Sequence, residues 1–188
     1  MLDVKRLMML NLTIRSEHLR ALISAWIAIL ACSLGLALYS QHSLGMMPCP
    51  WCVIQRLLML LSLALSFLML SSIRLPIAML VPALAHLLLQ LAGMAASMYQ
   101  ALVASHDSQC AMGLADRLLM ASGLEQSWPW MFAASSSCAE AANASLFGLS
   151  FPWLGFGLFS IGVVQSLVCI RLSLRASFRP LLHEANSR

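Results

Sequence analysis

The sequence predicts an all-α integral membrane protein, a bundle of four transmembrane helices joined by a short and a long outer loop. Two totals point there. Of 188 residues, 61% are hydrophobic and only 10% charged, whereas soluble domains carry roughly 25% charged residues. Mean hydropathy is +0.85. The third observation is local: segments 21–39, 52–72, 75–98 and 150–170 are each apolar enough to cross a bilayer, which takes about 20 helical residues. No internal repeat and no second domain is visible, so residues 1–188 read as one membrane domain.

The first span, 21–39, has a longer apolar stretch than the usual ~7–15 residues of a signal peptide. LYSQHS after it offers no small-x-small cleavage site, so the span reads as an uncleaved anchor. The second span starts behind MPCPWCVIQR, and only a turn around Arg74 separates it from the third. The fourth follows a long segment, 99–149.

Direction comes from the basic residues. Lys5, Arg6, Arg15 and Arg20 precede the first span, Arg74 lies between the second and third, and Arg171, Arg175, Arg179 and Arg188 follow the fourth. Arg117 alone lies on the opposite side, and Arg56 is inside a span. The positive-inside rule puts both termini and the Arg74 turn in the cytoplasm, with loops 40–51 and 99–149 facing outward. The net charge of +4 is distributed along the membrane flanks rather than along one stripe, which argues against nucleic acid as a partner.

The cysteines then sort by compartment. Cys49 and Cys52 stand at the outer mouth of the second span, Cys110 and Cys138 in the long outer loop, and Cys32 and Cys169 within spans. The outer four make two natural pairs where disulfides persist. Cys32 and Cys169 read as small, buried apolar residues. A disulfide across C-P-W-C closes too short a loop to be a useful staple, whereas C-x-x-C is a recurring redox arrangement. No second C-x-x-C supplies the remaining ligands of a metal site, and no histidine follows for haem attachment.

Pro48 and Pro50 suit a helix start, which sets Cys52 near the first turn, where the helix dipole favours a thiolate. Arg56, four positions on, shares the face of Cys52 one turn deeper. A charge within a span is by default a functional hypothesis; it either reaches for the outer headgroups or holds an anion or polar oxygens beside Cys52. A quinone is a sensible oxidant at such a place, because its oxygens gain charge on reduction.

In the long loop, AMGLADRLLMASGL reads as a short amphipathic helix, and Trp128 and Trp130 of SWPW suit the membrane interface. ASSSC, ending at Cys138, is small and polar and is expected to be mobile. Cys110–Cys138 is either a loop staple, worth about 3–4 kcal/mol in the chain-entropy model, or an exchangeable disulfide.

QH followed by PCPWCVIQR, the paired loop cysteines, and CAE…FGLSFPWLGFGLF after Cys138 resemble the bacterial inner-membrane disulfide bond formation family DsbB. The resemblance runs from the first span to the end of the fourth. It implies a thiol:quinone oxidoreductase that recharges a periplasmic DsbA-like thiol oxidase. In that relay the partner's thiolate attacks Cys110, Cys138 leaves and engages Cys49, and Cys52 is freed beside the quinone. Arg56 matches the family's quinone-associated arginine, and the cofactor implied is ubiquinone or menaquinone. A DsbA-type oxidant, at about −120 mV, needs a still more oxidising acceptor.

Some members carry a histidine near the outer end of the third span, where this chain has Gln100. His86 lies too deep to replace it and pairs at i,i+4 with Gln90. Two other readings compete: an enzyme like vitamin K epoxide reductase, with different quinone chemistry, and a scaffold whose disulfides only brace its loop.

Overall fold

Lipid rewards apolar side chains on the outside of a helix, so the inward face of a membrane bundle must be marked by something other than hydrophobicity. The computed structural model describes residues 2–106, 113–143, 145–146 and 148–185. Its elements are α1 (Leu2–Ser43), α2 (Pro50–Ser71), α3 (Pro76–Leu102), a 3-10 turn (Ala104–His106), α4 (Leu114–Ser122), α5 (Leu124–Ser127), α6 (Pro129–Phe132), α7 (Cys138–Asn143), β1 (Ser145–Leu146), β2 (Leu149–Ser150) and α8 (Phe151–Ala185). Four helical stretches are long and apolar enough to span a membrane: Glu17–Ser43, Pro50–Ser71, Pro76–Leu102 and Phe151–Ser177. The protein is an all-α, multi-pass membrane protein. Among the described residues the only strands form one antiparallel hairpin, Ser145 opposite Ser150 and Leu146 opposite Leu149. It turns at Gly148, whose φ of +79° suits glycine.

The inward faces repeat every seven residues. On α3 the buried series is Met79, Ala83, His86, Gln90, Gly93, Ser97 and Gln100. On α8 it is Gly155, Phe159, Gly162, Ser166, Cys169 and Ser173. These alternating steps of three and four are the spacing of a packed helix seam, and most of its members are small or polar. Small residues let the backbones approach. A β-carbon on Gly93 would run into the ring of Phe159, and one on Gly162 into Gln90 and Trp26.

The polar members satisfy one another across helices. Ser166 donates to the Gly162 carbonyl at 2.7 Å, so its oxygen is left to accept from His86 Nδ1 at 2.8 Å. The ring hydrogen therefore sits on Nδ1. His86 Nε2 is then free to accept from Trp26 Nε1 at 3.2 Å and from Gln90 Nε2 at 3.0 Å. This knot ties α1, α3 and α8 together, and the i,i+4 pair expected from sequence is one strand of it. Farther along, Ser173 donates to the Pro76 carbonyl.

One expectation is corrected. Cys169 is buried among Leu19, Ile23, Met69, Met79 and Ala83, but Cys32 is exposed on the outer face of α1, because it falls off the Leu19, Ile23, Trp26, Leu30 stripe. The serine run before Cys138 hydrogen-bonds to the short loop. The Ser135 and Ser136 amides both donate to the Pro48 carbonyl, at 3.0 and 3.3 Å, and Ser136 Oγ donates to the Met47 carbonyl at 2.8 Å. The long loop is thereby fastened to the short one.

Candidate functional site

Pro50 opens α2, which lacks only a donor that no helical carbonyl would have used. Cys49 is the N-cap, with extended backbone (φ −85°, ψ 167°), and Cys52 lies in the first turn. That geometry brings the two sulfurs to 3.1 Å. Both residues are free thiols, as are Cys32, Cys138 and Cys169.

Cys138 arrives from the far side of the long loop. Ser137 and Glu140 cap α7 reciprocally: Glu140 N donates to Ser137 Oγ at 3.2 Å, and Ser137 N donates to Glu140 Oε2 at 3.2 Å. This fixes Cys138 as the first helical residue. It packs with Cys49, Ala104 and Ala141 in a buried cluster, against Trp51 and Cys52. Cys49 and Cys138 are both completely buried. The Cys49 thiol is pushed up to about 12, first by its hydrogen bond to Cys138 and then by burial, with a hydrogen bond from Cys52 acting the opposite way. Cys110 lies outside the described residues.

Arg56, one turn deeper, is 5% exposed. Its guanidinium does not run out to the headgroups. Nη1 donates to Gln41 Oε1 and, at 3.1 Å, to the Met131 carbonyl, while Nη2 donates to the Ala37 carbonyl at 3.2 Å. One side chain thus joins α1, α2 and α6, and the QH dipeptide contributes Gln41 to this junction. His42 Nε2 lies 2.9 Å from the Trp130 carbonyl, a second tie between α1 and the loop.

A cavity of about 400 Å³ opens between α1, α2 and α8. Leu36, Met59, Phe151, Leu154 and Leu158 supply its apolar wall, and Ser40, Cys52, Gln55 and Arg56 its polar edge. Cys52 therefore has one side towards Cys49 and another towards a space of ligand size.

A family model described as Disulfide bond formation protein DsbB matches residues 19–169. The chain belongs to the DsbB family. No curated protein matches it. DsbB membership makes it a membrane protein of disulfide bond formation, an oxidoreductase class. The matched region runs through both cysteine pairs and Arg56.

For a DsbB-family chain the donor set suits a quinone head. The cavity is mainly apolar, and it has a cation and neutral hydrogen-bonding groups on the same edge as a thiol. Two residues at the site do not stand out as functional from sequence. Gln100, at the position of the family histidine, donates to both sulfurs of the C-x-x-C, and Gln55 donates to Gln100. A faint signal exists: polar residues inside an apolar span face the bundle interior, and Gln90 and Gln100 share the seven-residue seam of α3 with His86.

Proposed function

We propose that this protein is a thiol:quinone oxidoreductase. It reoxidises a DsbA-like thioredoxin-fold dithiol oxidase and passes the electrons through two cysteine pairs to a membrane quinone, ubiquinone or menaquinone. Cys49, Cys52, Cys110 and Cys138 are the redox residues of this reading and Arg56 its quinone-site residue. The single observation that carries it is the packing of Cys138 on Cys49 while Cys52, 3.1 Å from Cys49, borders the cavity edged by Arg56.

The partner's thiolate bonds to Cys110 and releases Cys138 as a thiolate. The partner's second thiol resolves that mixed disulfide and leaves oxidised. Cys138 bonds to Cys49, the Cys49–Cys52 bond breaks, and its electron pair leaves on Cys52 at the cavity. The Cys110 thiolate freed by the partner then bonds to Cys138, the Cys49–Cys138 bond breaks, and its electron pair leaves on Cys49. Arg56 offers positive charge there, and Gln41 and two backbone carbonyls keep its guanidinium oriented. A quinone held beside Cys52 and Arg56 would supply the oxidant, accepting two electrons and two protons as Cys49 and Cys52 re-form their disulfide. The net reaction converts a partner dithiol and a quinone into a partner disulfide and a quinol.

In this reading the membrane is the bacterial inner membrane, the termini and the Arg74 turn are cytoplasmic, and both cysteine-bearing loops are periplasmic. The test mixes purified protein, a reduced DsbA-type oxidase and a soluble ubiquinone or menaquinone analogue, following loss of quinone absorbance. Turnover that disappears in Cys52→Ser supports the proposal. Turnover that survives in Cys52→Ser, or its absence with both quinones, overturns it.

A further inference from the structure

The two sulfurs of the C-x-x-C have a neighbour that this relay leaves without a role. Gln100, fully buried near the end of α3, is 51 and 48 positions from the cysteines it touches. Its Nε2 donates to Cys49 Sγ at 3.2 Å and to Cys52 Sγ at 3.1 Å. Its Oε1 accepts from Gln55 Nε2 at 2.6 Å. A carboxamide has two N–H donors and one acceptor oxygen, and each has a partner. With Gln55 donating to its oxygen, Gln100 turns its N–H end to the sulfurs.

Gln55 is confined in turn. Its Oε1 lies 2.6 Å from where a β-carbon on Gly155 of α8 would stand, so the glycine is what leaves the side chain room. Gln55 borders the cavity, whereas Gln100 is not among its lining residues. The chemistry of Gln100 is directed at sulfur, not at whatever fills the cavity.

We propose that Gln100 is a catalytic residue of the Cys49–Cys52 pair, stabilising negative charge on the sulfurs, and that Gln55 is the positioning residue that aims it. The inference rests on the redox reading of this pair. When an incoming thiolate bonds to Cys49 Sγ, the Cys49–Cys52 bond breaks and its electron pair leaves on Cys52 Sγ. An N–H of Gln100 already points at that sulfur and meets the charge without reorganisation. An amide does not titrate as an imidazole does, so this assistance stays constant across the pH range in which a histidine changes charge. Hydrogen bonds to thiolate favour the reduced form, which makes the disulfide more oxidising.

The experiment equilibrates full-length protein in detergent with graded glutathione buffers and reads the Cys49–Cys52 state by alkylation and mass spectrometry. Cys110→Ser and Cys138→Ser isolate the pair. Gln100→Met keeps the size and removes the donors. It is expected to lower the equilibrium constant for forming the dithiol about tenfold, a potential about 30 mV more reducing. Gln55→Met shifts it the same way by less, and Gln100→His, retaining one N–H, recovers part of the loss. A potential equal to the parent's in Gln100→Met overturns the proposal. Should that variant fail to fold, an unchanged potential in Gln55→Met does so. No quinone or partner enters the assay, so the two proposals fail separately. A shifted potential without quinone turnover overturns the function proposed above, and normal turnover with an unshifted potential overturns the role of Gln100.

Discussion

Phe159 of α8 occupies the space that a side chain on Gly93 of α3 would need. The ring is fully buried, and it fills the hollow left where the smallest residue lets two membrane helices meet. Gly93→Ala forces the ring off its rotamer or the helices apart, at about 1–3 kcal/mol. Thermal unfolding in detergent should show this loss, while Gly157→Ala, with open space around it, should unfold like the parent. Equal midpoints for both variants would refute the seam.

Arg56 is held by oxygens from α1 and from the long loop. Arg56→Lys keeps the charge but cannot reproduce the planar fork. Each hydrogen bond to a charged group is worth about 1.5–3 kcal/mol, so losing one frees the side chain from its fixed orientation, and in the proposed function the variant should weaken apparent quinone affinity. The loop should also become easier to cut near Met131, as limited proteolysis would report. Unchanged affinity together with unchanged cleavage would dismiss this role.

Cys49 has its ordinary value of 9.0 raised to about 12, chiefly by Cys138. The folded state therefore holds a proton that the unfolded chain releases above about pH 9. Stability that is fully present below that pH is lost as pH rises towards 12. In the reduced protein, alkylation of Cys49 should keep accelerating beyond pH 9 without levelling off. Cys138→Ala should move the profile to lower pH. A plateau below pH 9 in the parent would contradict the assigned hydrogen bonding.

The charge pattern predicts both chain ends on the cytoplasmic side. A reporter active only in the cytoplasm should work when fused after Arg188, and one active only in the periplasm should work when inserted within the long loop. The reverse pattern would invert the bundle and put the cysteine pairs in a reducing compartment.

What hydropathy reveals is where the chain lies in lipid, and those stretches are helical. It does not reveal how far the helices continue. Hydropathy begins the first span at 21 and ends the fourth at 170, whereas α1 starts at Leu2 and α8 reaches Ala185. The charged flanks lower hydropathy without breaking a helix, so a composition window stops early. Within the site, Cys49, Cys52 and Arg56 are legible because their relationship is local: one helix start and one turn. Gln100 and the Met131 carbonyl are not. They reach the site across 48 and 75 positions of chain, and a backbone carbonyl leaves no signature in sequence. The inward faces are hidden for a related reason, since Gly, Ser and Gln mark them while a hydropathy scan registers mainly the leucines facing lipid.

The hydrogen bonds from Ser135 and Ser136 to Met47 and Pro48 also set how a carrier segment can travel. Each such bond is worth only about 0.5–1.5 kcal/mol net, and no wide apolar surface is needed to dock the serine run. Releasing it amounts to opening a small latch, not melting a helix, and loop motions of that kind take place on nanosecond to microsecond timescales. In the proposed relay, this latch would let the segment carrying Cys138 rest against Cys49 and leave again between turnovers. Polar serines provide that; a leucine-rich segment would stay buried where it landed.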